Sequence, residues 1–174
     1  TQIYFDFAGY SLMAIGVARW FGFFIPKNFD DPYTSTSISE FWRRWHMSLS
    51  FWLRDYLYIP LGGNRKGPVK TYRNLMITMV LGGLWHGAAW SFVIWGALHG
   101  LALSVNRFFE RLLGRGLILP AAGGALGLVL TLFVVFGAWV PFRADSLGDA
   151  VMVWAGIFGL RENGAQSLSL VAFC

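Results

Sequence analysis

The chain has 174 residues, of which 56% are hydrophobic and only 13% charged, and it contains nine tryptophans and sixteen phenylalanines. This apolar and aromatic content exceeds that of ordinary soluble domains and indicates an integral membrane chain embedded in a lipid bilayer. The net charge of +5 comes from short basic blocks beside apolar segments without a nucleic-acid motif, so it predicts cytoplasmic anchoring rather than nucleic-acid binding.

Both termini have the character expected for a piece of a longer protein. Thr1 is not an initiator methionine, and a new apolar stretch begins shortly before Cys174. We therefore expect residues 1–174 to form a single membrane domain that is an internal or C-terminal part of a longer chain. Cys174 is the only cysteine, which excludes an intrachain disulfide and a cysteine-based metal site.

The first predicted element is a membrane span over Ile3–Ile25, which has about the ~20 residues that a spanning helix needs. Its glycines, which offer close helix contacts, are Gly9, Gly16 and Gly22. A polar turn region follows over Pro26–Ser37. Together they predict one crossing that ends in a loop.

A capping-box pattern at Ser37 and Glu40 predicts a helix of roughly five turns from Ser39 to about Tyr58. Aromatic residues recur along it at three- and four-residue steps, with a polar stripe beside them, so the helix is predicted to be amphipathic. Glycines and prolines then predict a basic loop over Pro60–Pro68.

The apolar stretch Asn74–Val105 is too long for one ordinary span and short for two complete ones. Because basic residues flank both sides, one interpretation is a pair of short or broken helices that turn near Gly82 to Gly87, with both flanks cytoplasmic. The alternative is one long tilted helix with its flanks on opposite sides. A turn would free the backbone N–H groups of Gly82, Gly83 and Gly87.

Two further elements complete the chain. Pro120–Phe142 is predicted to be another span. Ser146–Leu160 is predicted to be an amphipathic or short spanning helix that Ser146 caps, with Asp149 three residues on. The predicted elements are all helical, so the fold class is all-α.

Three histidines carry the candidate chemistry. His86 lies between Trp85 and Trp90 inside the apolar stretch, and an ionisable side chain at membrane depth marks a working site by default. A buried imidazole that only donates to a carbonyl is the structural alternative. His46 lies on the polar side of the amphipathic helix, as a site residue or on a solvated face. His99 would lie about 220° from His86 on one continuous helix, which predicts a structural role.

Other kinds of site are not indicated. No histidine pair has the i, i+4 spacing of a helical metal site and no cysteine or carboxylate cluster accompanies them, so we expect no metal. Nucleophile-elbow, P-loop and Rossmann motifs are also missing. The remaining chemistry is a histidine that takes a proton from an attacking hydroxyl in a dry site.

Three motifs stand out in the chain: Phe41-Trp42-Arg43-Arg44-Trp45-His46, Tyr58-Ile59-Pro60-Leu61-Gly62-Gly63-Asn64-Arg65 and Gly83-Leu84-Trp85-His86-Gly87. Together they resemble the membrane-bound O-acyltransferase family, and within it the branch of bacterial alginate O-acetyltransferases. The similarity extends from Gln2 to Leu147. This resemblance implies a polytopic membrane helix bundle with re-entrant or buried helices around a central tunnel.

The resemblance also implies the roles of the site residues. His86 corresponds to the family's catalytic histidine and His46 to its companion. An acyl thioester donor, acetyl-CoA or an acyl carrier, would supply the acyl group on the cytoplasmic side as a co-substrate, with no bound cofactor. The acceptor would be a hydroxyl of an exported polysaccharide such as alginate.

The remaining expectations follow from interpreting the chain as part of an acyltransferase. Trp85 and Trp90 would form walls of the site. The residues expected to meet an anionic donor, on the basis of charge, are Arg43, Arg44, Asn64 and Arg65. The protein would be a multi-pass protein of the bacterial inner membrane that works with periplasmic or extracellular acetyl-transfer partners. Three alternatives stay open: a D-alanyl or other acyl transferase, a membrane transporter, and a scaffold of a polysaccharide-modification complex.

Overall fold

A computed structural model describes residues 2–112 and 123–160, and within these ranges it contains helices and turns but no strand. The helices are α1 (Gln2–Trp20), α2 (Ile38–Arg44), α3 (Met47–Leu53), α4 (Pro68–His86), α5 (Trp90–Leu112), α6 (Gly123–Arg143) and α7 (Leu147–Ile157). A short 3₁₀ turn, Pro32–Thr34, precedes α2, and a π-helical turn, Arg54–Tyr58, follows α3. The all-α prediction is confirmed for this part of the chain, whereas Arg115, Pro120 and Cys174 lie outside the described residues.

Helix α1 is shorter than the predicted span, because it ends at Trp20 and not at Ile25. Gly22 adopts a φ of 78°, and the amide of Phe23 donates to the carbonyl of Ala18 at 2.9 Å. This is a glycine cap in the left-handed conformation that closes a helix C-terminus. Gly22 therefore ends the helix and is not a helix-contact position within it.

The predicted helix from Ser39 to Tyr58 is wrong as a single element. It begins as expected, with the Ser37 hydroxyl accepting from the Glu40 amide at 3.1 Å, but α2 and α3 are separated by a break at Trp45 and His46. The backbone at the break bonds to the preceding loop: Asp30 donates to the Arg44 carbonyl at 3.0 Å and Met47 to the Asn28 carbonyl at 2.9 Å. These bonds to the preceding loop take the place of the backbone bonds that a continuous helix would form at the break.

Helices α4 and α5 form an antiparallel pair that turns at residues 87–89. The alternative of one long tilted helix is therefore wrong, and the two helices are full-length: 19 and 23 residues, or about 28 and 34 Å at 1.5 Å per residue. At the open end of the pair the Arg111 guanidinium lies 5.7 Å from the centre of the Tyr72 ring. Both basic flanks of the pair therefore lie at the same end.

Helices α5 and α6 are the two described helices that are long and apolar enough to cross a membrane. Helix α6 contains Pro141, which has no N–H and leaves the carbonyl four residues earlier without its helical donor. That carbonyl belongs to Gly137, and the Trp154 indole of α7 donates to it at 3.1 Å. Helix α7 begins at the predicted cap, with the Ser146 hydroxyl accepting from the Asp149 amide at 3.1 Å.

The core lies where α2, α4, α5 and α6 meet. Its buried apolar side chains are Ile38, Phe41, Trp42, Trp45, Met79, Trp95, Val135 and Ala138. Half-buried rings from α1 and the 3₁₀ turn pack against them. This aromatic core positions the histidines.

Candidate active site

A small cavity of about 60 Å³ lies beside the aromatic core. Its lining residues are Ile3, Phe7, Trp42, Trp45, His46, Leu49, His86, Trp95, Trp139 and Phe142. The two histidines are its only titratable side chains among the described residues, and every other member of the lining is apolar or aromatic. The fold thus brings the two histidines that the sequence singles out to one largely apolar space.

His46 occupies the break between α2 and α3, with a φ of 43°. A left-handed conformation at a residue other than glycine costs free energy and is found preferentially at functional sites. Its ring lies 4.7 Å from the ring of Phe7 and 6.4 Å from that of Trp85. Burial, with a smaller contribution from nearby His86, lowers the pKa of His46 to about 4. The lowered pKa favours the neutral imidazole, which has one nitrogen that can accept a hydrogen bond and one that can donate.

His86 is the last residue of α4, directly before the turn to α5. Its ring packs edge-on against Trp95 at 5.3 Å and Phe142 at 5.0 Å. The position at a helix end, held by side chains of α5 and α6, fixes the imidazole at the cavity. The predicted turn therefore exists and places His86 beside it.

His99 lies in α5 and is completely buried. The Trp42 indole donates to its Nδ1 at 3.3 Å, so the neutral ring carries its proton on Nε2. This bond supports the predicted structural role. The prediction assumed, however, that His86 and His99 lie on one continuous helix and face different directions. They lie on two helices, and both pack against the Trp95 ring.

Neither of the two tryptophans predicted to wall the site lines the cavity, so that prediction is wrong for both. Trp85 contacts the rings of both His46 and His86 although 63% of it is exposed. Trp90 is 73% exposed and does not belong to the lining of the cavity. The residues that do form aromatic walls, and that sequence reasoning missed, are Phe7, Trp42, Trp45, Trp95, Trp139 and Phe142.

The four residues predicted to meet an anionic donor do not form one cluster in the described structure. Arg44 pairs with Glu40 at 2.8 Å and donates to Thr34 at 3.0 Å, so it holds α2 in place. Arg43 is exposed and lines a second cavity. Asn64 and Arg65 are exposed on the basic loop.

A buried residue that the sequence did not single out holds the basic loop. The Asn74 amide donates to the carbonyl of Leu61 at 3.1 Å and to that of Gly63 at 3.0 Å. Only its position at the start of an apolar stretch marked it in the sequence. Since the side chain is fully buried, these bonds pin the loop to α4.

The backbone N–H groups expected to be free near the turn are engaged. Gly82 and Gly83 lie within α4, and the amide of Gly87 donates to the Leu84 carbonyl at 3.2 Å. The expectation that they are available to a ligand is therefore wrong. Gly83 instead permits close helix packing, because a Cβ there would lie 2.2 Å from the Phe92 carbonyl oxygen.

No group of three or more potential metal ligands occurs within residues 2–112 and 123–160. The chemistry available at the cavity is proton transfer by an imidazole in a nearly dry, aromatic space. In such surroundings a histidine can accept the proton of an attacking hydroxyl while water is kept from competing.

Comparison with known proteins identifies the family. Residues 1–117 match the membrane-bound O-acyltransferase family. The chain belongs to this family. Members are membrane proteins, in agreement with the two long apolar helices, and the resemblance read from the tryptophan and histidine motifs is confirmed.

Several bacterial relatives within the membrane-bound O-acyltransferase family are similar over most of the chain. A probable alginate O-acetylase of Azotobacter vinelandii is 50% identical over 98% of this chain. A peptidoglycan O-acetyltransferase of Helicobacter pylori is 47% identical over 92%. A teichoic acid D-alanyltransferase of Bacillus subtilis is 36% identical over 79%. The matched regions make up 34%, 30% and 38% of these relatives, so the chain spans about a third of their length.

Proposed function

We propose that the protein containing this chain is a membrane O-acetyltransferase that moves an acetyl group from a thioester donor to a hydroxyl of an exported polysaccharide. The observation that carries the proposal is that His46 and His86 line one small aromatic cavity. The relatives named as acetylases, which are similar over nearly the whole chain, support acetyl as the transferred group.

His86 is the general base in this proposal. Its imidazole takes the proton of the acceptor hydroxyl, the hydroxyl oxygen forms the new ester bond to the acetyl carbon, and the thioester C–S bond breaks. The proton then passes from His86 to the departing thiolate. Such proton transfer contributes typically about 10²–10⁴-fold to the rate.

His46 assists at the same cavity by orienting a substrate or relaying the proton. Its neutral form, favoured by burial, can accept a hydrogen bond from a hydroxyl. Its strained backbone supports a role at the site, because a neighbouring residue in a helix would adopt the ordinary conformation at no cost.

A D-alanyl group is the second candidate, favoured by the similarity to D-alanyltransferases. Its ammonium group would need an anionic or strong acceptor partner on entering an apolar space. The described lining of the 60 Å³ cavity contains no carboxylate. Its size and apolar walls therefore support acetyl over D-alanyl.

The proposal extends to the setting of the reaction. The protein is a multi-pass protein of the bacterial inner membrane, built around a tunnel with re-entrant or buried helices. Its thioester donor, acetyl-CoA or an acyl carrier, approaches from the cytoplasmic side and contacts one or more of the exposed residues Arg43, Asn64 and Arg65. The acceptor polymer is modified on the far side, where periplasmic or extracellular partner proteins take part.

Replacement of His86 tests the proposal. In the full-length protein His86→Ala should abolish acetylation of the polysaccharide while abundance and membrane insertion stay near normal. His46→Ala should lower the activity. His99→Asn, a matched histidine change that keeps an acceptor near the position of Nδ1, should retain activity. Wild-type acetylation in the His86→Ala protein would refute the assignment of the base.

A further inference from the structure

A second and larger cavity, of about 190 Å³, shares Trp42 with the histidine cavity. It is lined by residues of α2, α3, the π-helical turn, α4 and α5, and these residues are Trp42, Arg43, Ser50, Phe51, Leu53, Arg54, Tyr58, Leu75, Thr78, Met79 and Leu103. Among the described residues Trp42 is the only one that lines both cavities. Trp42 therefore borders both cavities, and its side chain is called the partition below.

Buried neighbours hold the Trp42 side chain in place. The indole N–H of Trp42 donates to Nδ1 of His99 at 3.3 Å, and both side chains are buried. The Trp42 ring also packs edge-on against Trp95 at 5.8 Å and against Phe41 at 6.1 Å. If the indole rotated away, its N–H and the Nδ1 of His99 would both be buried without a partner. The hydrogen bond therefore favours the observed position of the Trp42 side chain.

The two cavities differ in the size of the group that each can hold. A protein cavity of about 150 Å³ accommodates benzene, which corresponds to about 25 Å³ per heavy atom. By this measure the histidine cavity of about 60 Å³ holds two or three heavy atoms, the size of an acetyl group. The larger cavity, at about 190 Å³, has room for several more carbons.

We propose that Trp42 sets the size of the acyl group that the histidine site accepts, and that His99 is the positioning residue that holds the Trp42 indole. With the indole in place, the acyl group ends against the ring after two carbons. Without it, the histidine cavity opens into the larger one and a longer chain fits. This inference rests on the proposed acyl transfer and names the residue that limits its substrate.

The test is a competition between two donors. Membranes that contain the full-length protein and its partners receive equal concentrations of acetyl-CoA and butyryl-CoA, and mass spectrometry measures the ratio of butyryl to acetyl esters on the acceptor polysaccharide. Trp42→Ala should raise that ratio about tenfold or more, since each methylene in an apolar pocket is worth about 10-fold or more in discrimination. Leu103→Ala, which enlarges the second cavity but leaves the Trp42 side chain in place, should leave the ratio unchanged.

Two milder changes test the positioning role and remain informative if Trp42→Ala does not accumulate. His99→Leu removes the acceptor and should raise the ratio, whereas His99→Asn supplies an acceptor and should restore a ratio near the wild-type value. Trp42→Phe, which loses the indole N–H and part of the ring, should also raise it. A merely structural role for His99 would lower both products together and leave the ratio unchanged.

The two levels of the proposal fail differently. Lack of any acyl transfer by the wild-type protein with its partners would contradict the proposed function, and with it the inference. An active wild-type protein whose Trp42→Phe and His99→Leu variants show an unchanged ratio would overturn the inference alone. An increase in the ratio with Leu103→Ala as large as that with Trp42→Phe would also overturn it, because the partition would then not be the determinant.

Discussion

The close packing of α4 against α5 depends on Gly96, and replacing this glycine should be among the most damaging single-methyl changes in the helix pair. A Cβ on Gly96 would lie 2.3 Å from the carbonyl oxygen of Met79 and 2.9 Å from Cα of Val80. Both neighbours are backbone atoms, so no side chain can rotate to make room. In Gly96→Ala the helices must separate by about 1 Å to restore ordinary contact distances, because backbone atoms do not yield as side chains do.

The expected cost has two opposing parts. Overpacking of this kind costs about 3 kcal/mol, at the upper end of its usual range, because only movement of a whole helix relieves it. Alanine is the better helix former by about 1 kcal/mol, which leaves a net loss of about 2 kcal/mol in the free energy of unfolding. The activity should fall further, because Trp95 next to Gly96 packs against His86, and a misplacement of 1 Å at a reacting group costs about 10²-fold.

The assay compares Gly96→Ala with Gly137→Ala in the full-length protein, by thermal unfolding in detergent and by acetyl transfer in membranes. A Cβ at Gly137 meets no atom within 4 Å, so that helical glycine provides the matched control and should stay stable. If Gly96→Ala were as stable and as active as the control, the tight contact between α4 and α5 and its link to the site would both be wrong.

Two further predictions concern α7 and topology. Trp154→Phe keeps a ring but leaves the Gly137 carbonyl without its donor, so the free energy of unfolding should fall by about 1 kcal/mol. Val151→Ala, on the exposed face of α7, is the control and should not lower it. Equal unfolding temperatures for the two variants would contradict this prediction. Cysteines placed at Lys66 and Arg111 in a cysteine-free full-length protein should be labelled from the same, cytoplasmic face, because both basic flanks resist translocation. Labelling from opposite faces would refute the shared side.

Local chemistry accounts for the parts of the fold that could be predicted. The caps at Ser37 and Ser146 need only a hydroxyl and an amide three residues later, and both bonds form as expected. The long apolar stretches predicted helices, and the basic flanks favoured a turn over one continuous helix. The turn itself lies at residues 87–89, so it begins at Gly87, the last of the predicted glycines.

The break at His46 could not be predicted in the same way. The sequence from Ser39 to Tyr58 has an unbroken helical period, and the interruption comes from bonds to Asn28 and Asp30 in a distant loop. A tertiary interaction of this kind has no local signature. The strained backbone that positions His46 is therefore information that only the structure supplies.

The lining of the site was predicted in part for the same reason. His46 and His86 were identified because ionisable groups stand out in an apolar chain, and both line the cavity. The aromatic walls come from several helices, and nothing in their local sequence separates Trp139 from the exposed Trp90. Which tryptophan lines a cavity depends on how the helices pack.

The missing backbone bond in α6 has a consequence for assembly. A helix interior normally presents no free acceptor to its neighbours, because each carbonyl is used within the helix. Pro141 leaves the carbonyl of Gly137, near the C-terminal end of α6, without a helical donor, and the Trp154 indole donates to it. Helix α7 is a short segment of 11 residues with few other polar features to fix its register. The bond from Trp154 to the Gly137 carbonyl therefore ties α7 to one particular turn of α6, and its loss would leave the register of α7 set by apolar packing alone.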